Sequence, residues 1–230
     1  MTPGSSPLRC TFSAEETKAA VDEAHRLGLP VAAHCQNVHA IRNCVAAGAD
    51  TIEHCRWQDH EGRPAFDAVL GRDLARKGLA VMATMPHRDR VMLRSADEQE
   101  TLEHDCQLKA RHAGLPAVLE LGVPVAVASD AGVRDTRFEE LSLSIECAAA
   151  ALGLHGVELV CAATAVAAAV CGIGDEVGTI AVGRVADLVS VKGDPASDVE
   201  SLRYVRRVWF GGALVHDADE AHGPKLVSRA

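Results

Sequence analysis

Aromatic side chains are nearly missing. Phe, Trp and Tyr make up 3% of the 230 residues, so the interior has to be filled by Ala, Val and Leu. Positive charge is also short, and a net charge of −9 argues against nucleic acid or an anionic membrane as the main partner. Long apolar runs are absent. The nearest, CAATAVAAAVCGI at 161–173, is Ala-rich and falls short of the ~20 residues that span a bilayer. The opening MTPGSSPLRC has neither a basic start nor an apolar h-region, so no secretory signal is read there. No CxxC pair occurs among the 8 cysteines, which excludes a zinc knuckle and favours reduced thiols over a disulfide framework. These absences lead to one expectation, a cytoplasmic globular protein.

What is present is an alternation of helix and strand patterns. Ser13 and Glu16 have the spacing of a capping box, opening a helix with Ala20, Val21, Ala24 and Leu27 on its apolar side and Gly28 and Pro30 ending it. PVAAHC then reads as a buried strand. Asn37 can cap a helix carrying Val38, Ile41 and Val45, and DTIEHC is a second strand. RPAFDAVLGRDLARKG reads as a helix, LAVMATM as a third strand, a polar helical stretch from Ser95 breaks near Pro116, and PVAVASD is a fourth strand ending at Asp130. Short, almost wholly apolar strands between helices indicate a parallel sheet with covered faces. Two helices are expected at about 136–153 and 155–171. The tail turns to β structure: ADLVSV, then YVRRVWF, Gly211-Gly212 as a hairpin turn, and ALV. The expected division is a partial α/β barrel over residues 1–176 and a β-sandwich segment over 177–230.

His34, His54 and Asp130 stand at the C-terminal ends of three of these strands, the end where parallel α/β folds place their chemistry. The two histidines are one α/β unit apart. Two imidazoles and a carboxylate suit a borderline divalent metal such as zinc. A single strand-end histidine is ordinarily a hydrogen-bonded polar residue; two at matched positions, with a strand-end Asp, shift the balance toward ligands. By strand alternation Cys35 and Cys55 face away as packing thiols, and Glu53 faces the helices, where a salt bridge is its expected role. His87 and Arg88 after the third strand, and Arg134 after Asp130, can grip a substrate carboxylate or be solvated loop charge. His104 and His112 are expected at the surface. HRD at 87–89 lacks the partner motifs of a kinase loop, and GIGDEVG at 172–178 has turn spacing rather than a dinucleotide fingerprint.

FSAEETKAAVDEAHRLGLPVAAHC, AIRNCVAAGADTIEHC, VAVASDAG and VGTIAVGRVADLVSV together resemble the amidohydrolase superfamily, nearest its imidazolonepropionase-like and prolidase-like branch, over about residues 11–216. The resemblance implies a (β/α)8 TIM barrel with a small β-sandwich. It makes His34 the metal ligand after strand 5, His54 the ligand after strand 6, and Asp130 the ligand and catalytic proton shuttle after strand 8. It also implies a divalent metal cofactor, zinc first, and hydrolysis of amide, peptide or cyclic amide C–N bonds by a metal-activated water.

The chain departs from the family pattern in one respect. The family's H-x-H pair after strand 1 occurs nowhere among the 11 histidines, and no strand carrying a bridging lysine precedes the first helix. The sequence therefore resembles the C-terminal half of an amidohydrolase, and coding DNA upstream of Met1 is expected to continue in frame into those ligands. Alternatives are a non-catalytic remnant with at most one weakly held metal, or two copies pairing through open sheet edges as a homo-oligomer.

Overall fold

The computed structural model describes residues 6–85, 108–133 and 136–219. Helix α1 (Ala14–Arg26) begins in the expected capping box: Glu16 N–H donates to Ser13 Oγ at 3.1 Å, and Ser13 N–H to Glu16 Oε2 at 2.8 Å. Strand β1 (Ala32–His34) leads into α2 (Val38–Ala47), where Asn37 Oδ1 accepts from Ala40 N at 2.9 Å and Gly48, at φ 84°, ends the helix. Next come β2 (Thr51–Glu53), α3 (Ala68–Arg76), β3 (Ala80–Thr84), α4 (Gly114–Glu120) and β4 (Val125–Ala128). Helices α5 (Leu141–Leu152), α6 (Gly156–Ala163) and α7 (Ala165–Val170) follow, then β5 (Leu188–Val191), β6 (Val205–Phe210) and β7 (Ala213–Asp217).

Strands β1 to β4 form one parallel sheet in sequence order, and β5 to β7 a separate antiparallel sheet. The chain thus has the α/β class expected of it. In the parallel sheet Ala33, Ile52, Val81 and Val125 lie in one register row and join the core under the helices. One step along, His34, Glu53, Met82 and Ala126 form the next row, so their side chains share the opposite face. That second face is less covered toward β1 and β2, where Ala32 and His34 are exposed and Thr51 and Glu53 half-buried; toward β3 and β4 Met82 is half-buried and Ala80, Thr84 and Ala126 are buried.

Several elements differ from expectation. Helix α3 starts at Ala68, behind an Asp67 cap, because the preceding residues turn back so that Gln58 and Pro64 form an isolated bridge. The expected break near Pro116 falls at His112 and Ala113, and Pro116 itself lies in the first turn of α4, where its missing N–H costs no helical bond. The helix expected at 155–171 divides at Thr164, whose φ of −129° and ψ of −87° leave the helical region. On α1 only Val21 of the apolar stripe is buried, and Leu27 is 58% exposed. The Gly211-Gly212 turn joins β6 to β7 with φ of 55° and 82°, the two positive values of a tight hairpin. Helix α5 is moored through two buried residues in its N-terminal half. Ser144 Oγ donates to Met85 O at 2.9 Å, and the buried Glu146 pairs with Arg203 just before β6.

Candidate metal centre

The C-terminal tips of β1 and β2 bring two imidazoles together. His34 Nδ1 and His54 Nε2 stand 2.8 Å apart, and the rings meet edge to face with centroids 4.3 Å apart. The far nitrogen of His54, Nδ1, is hydrogen-bonded to Thr84 Oγ1 at the tip of β3. His54 also donates its backbone N–H to Met82 O at 3.0 Å, so β3 holds it by main chain and side chain. This grip sustains an uncommon backbone. His54 and Cys55 have φ of 64° and 47°, and Asp130, beyond β4, has 59°; these are the non-glycine positive-φ residues among those described. Left-handed conformations at non-glycine residues cost roughly 1–3 kcal/mol each and persist where the surroundings over-determine them. Here all three lie at strand tips on one end of the sheet.

The electrostatics keep the imidazoles neutral. Burial lowers the His54 pKa to about 3, helped by His34, the Arg56 guanidinium and His112. Partial burial also lowers His34, with the Asp130 carboxylate pulling the other way and Arg56 adding to the depression. A neutral imidazole is the form that can donate a lone pair to a metal. Two nitrogens on one tetrahedral zinc at 2.0–2.1 Å would sit roughly 3.3 Å apart, so the observed pair needs to open by about half an ångström. The hydrogen-bonded far nitrogen of His54 is the usual support of a ligating histidine. The pair therefore fits a divalent ion. Asp130 is near enough for its charge to act on His34, but among the described residues no three His, Cys, Asp or Glu side chains stand close enough to hold a metal.

Two expectations are corrected. Glu53 does not face the helices. It shares the open face with Thr51, whose Oγ1 donates to Glu53 Oε1 at 2.8 Å, and Asp130 contributes to raising its pKa after burial does. The alternation rule would place Ile52 and His54 on one face, but the left-handed backbone at His54 ends the strand at Glu53 and swings the imidazole over the rim. His112 is not a surface residue. It is 2% exposed, and its pKa is pushed well below the ordinary value by burial and then by Arg56 and Arg111. Cys35 and Cys55 are buried as expected, and Cys35 Sγ lies 3.5 Å from Cys44 Sγ. His87, Arg88, Arg134 and His104 lie outside the described residues. Thr84 and the buried Arg56 were not singled out from the sequence. Thr84 sits on the strand next to a strand-end histidine, a signal that adjacency in the strand order provides; nothing in the sequence marks Arg56.

The Amidohydrolase family profile matches residues 5–215, nearly the whole chain. The chain belongs to the amidohydrolase family. Among curated amidohydrolase relatives, ochratoxinase of Aspergillus niger is 27% identical over 228 residues, covering 93% of this chain and 44% of that protein. Imidazolonepropionase of Mesorhizobium japonicum is 29% identical over 180 residues, covering 77% of this chain and 38% of that protein. Among solved structures, a prolidase complexed with N-methylphosphonate-L-proline superposes with a TM-score of 0.70 at 26% identity, over 90% of this chain and 50% of that one. The chain spans half or less of the length of each of these relatives.

Proposed function

We propose that this chain supplies the second half of a (β/α)8 amidohydrolase barrel, and that His34, His54 and Asp130 are its share of a divalent metal centre, zinc first, that hydrolyses amide-type C–N bonds. The observation that carries the reading is the His34 Nδ1–His54 Nε2 approach at the tips of adjacent parallel strands. Four sequentially ordered parallel strands, and relatives matched over half or less of their length, support the half-barrel.

A bound divalent ion would polarise the scissile carbonyl and acidify an attacking water. The chain's own residues then do the following. His34 and His54 present neutral lone pairs to the ion. Asp130, as a carboxylate, takes the proton the water gives up and returns it to the leaving nitrogen, which departs as the neutral amine. Glu53, on the same face, adds negative charge beside Asp130. The substrate is a small molecule with a carbonyl bound to nitrogen; Xaa-Pro dipeptides, N-acyl amino acids and cyclic amides are the classes to test. His87, Arg88 and Arg134 are the proposed grips for a substrate carboxylate.

A second reading has its own support. A sheet of four parallel strands that ends at β1 and β4 also suits a non-catalytic half-barrel with at most one weakly held metal. Metal titration of the purified chain tests the half-site, and hydrolysis once the other half of the barrel is supplied separates the two readings. The first reading expects at most one divalent ion per chain, lost in His34→Ala and in His54→Ala, and hydrolysis of at least one of the three substrate classes once the other half of the barrel is supplied. Two tightly held ions on this chain alone would overturn the half-site assignment, and no binding at any concentration would favour the non-catalytic reading.

A further inference from the structure

We infer that Thr84 is a positioning residue: its hydroxyl holds the His54 ring by Nδ1 and so turns Nε2 toward His34 Nδ1, in the tautomer that carries the ring proton on Nδ1 and leaves Nε2 free to take a metal. The inference rests on the proposed metal centre but concerns a residue outside the ligand set. Thr84 is buried at the tip of β3, and its Oγ1 is the hydrogen-bond partner of His54 Nδ1. An imidazole has one proton to place when neutral. With that proton on Nδ1, the lone pair lies on Nε2, the atom that faces His34 Nδ1 at 2.8 Å. With the proton on Nε2, the nitrogen aimed at the common point would be sealed. With Nε2 unprotonated, His34 Nδ1 supplies the proton of the 2.8 Å contact, so the His54 tautomer decides which ring enters the pair with its lone pair already free.

The backbone shows why a separate clamp is needed. His54 sits at φ 64°, off the end of the strand, so the pleat of β2 no longer dictates where its ring points. Direction comes instead from β3, by the His54 N–H bond to Met82 O at 3.0 Å and the ring bond to Thr84 two residues on. The main-chain bond sets the position of the Cα and leaves ring rotation free. The hydroxyl of Thr84 removes that freedom. A serine in its place would keep the contact, whereas a valine would keep the shape and lose it.

The test compares the wild-type chain with Thr84→Val and Thr84→Ser, using Zn2+ alone as the metal probe and nitrogen-15 NMR of the histidine rings in the metal-free chain. In the wild type, His54 is expected as one tautomer with the proton on Nδ1. Thr84→Val should show both tautomers and lose roughly 10–100-fold in Zn2+ affinity with the site number unchanged, and Thr84→Ser should restore both readouts. A wild-type His54 protonated on Nε2, or a folded Thr84→Val with wild-type tautomer and affinity, overturns the assignment. If the wild type binds no Zn2+, the proposed metal centre falls while the ring spectra still decide the role of Thr84. If Thr84→Val does not fold, the tautomer in the wild type and in Thr84→Ser decides it.

Discussion

The two faces of the parallel sheet were built from the same strands and came out unlike. On the helix side, Ile52, Val81 and Val125 are sealed in the core, and this row extends to Ala83 and Val127. On the other side, Ala32, Thr51 and Ala80, then His34, Glu53, Met82 and Ala126, then Thr84 and Ala128, mix small, polar and ionisable groups. A sheet face that had only to hold the fold together would carry Val and Ile on both sides, as doubly covered strands do. On the proposed function the second face is a working face, small in its lower rows and carrying ionisable groups at its tips. The helix side supplies stability, and the other side spends part of it on left-handed backbone and the buried imidazole of His54.

The largest contrast between the faces should appear on truncation. Ile52 is fully buried, so Ile52→Ala should cost about 2–5 kcal/mol by lost burial and residual cavity. Met82, in the next row and half-buried, should cost well under half as much when changed to Ala. Urea unfolding of the two variants checks this. Equal losses would mean that something covers the working face as thoroughly as the helices cover the other.

How far the sequence revealed this division depended on which physical rule applied. Helix starts were legible because Ser13 and Asn37 cap by local hydrogen bonds that need no tertiary partner. The four strands were legible as apolar runs, and His34 and His54 as strand-end histidines. Glu53 was misplaced because alternation assumes extended backbone, and the positive φ at His54 is set by its bonds to β3, a contact distant in sequence. His112 was misplaced for a related reason. A polar local sequence suggested solvent, whereas packing around Arg56 and the core decides its burial. Thr84 carries no motif at all; its meaning comes from the residue it touches.

A middle-sized effect should follow pH. His54 and His112 are held neutral in the folded chain, with pKa values depressed from about 6.5, that of His54 to about 3. The unfolded chain takes up these protons as pH falls below about 6.5, and the folded chain resists. Stability is therefore full above that pH and declines below it, by up to about 1.4 kcal/mol per pH unit for each histidine. His54→Gln should flatten the slope by about one proton without removing the share due to His112. The pH dependence of the urea midpoint in metal-free buffer, wild type against variant, measures the difference. An unchanged slope would show that His54 is already protonated in the fold.

The smallest effect should have the opposite sign with pH, and it comes from the neighbouring residue. Glu53 is half-buried, and its pKa is raised by that burial and then by Asp130, against the hydrogen bond from Thr51. The folded chain therefore holds this proton more tightly than the unfolded chain does. Below the ordinary carboxylate range both states are protonated and Glu53 costs nothing; as pH rises through the shifted value, ionisation on the open face becomes a cost, and stability falls. Glu53→Gln keeps the acceptor for Thr51 Oγ1 and removes the charge. It should stabilise the isolated chain at neutral pH, by less than about 1 kcal/mol because the group is partly solvated, and change nothing at about pH 4. Metal should reverse the ranking, because a cation held by His34 and His54 makes the neighbouring carboxylate favourable; with Zn2+ present the variant should lose its advantage. A Glu53→Gln chain that is less stable than wild type at neutral pH without metal would mean that the carboxylate already has a cationic partner, and that the working face is organised around Glu53 rather than around the histidine pair.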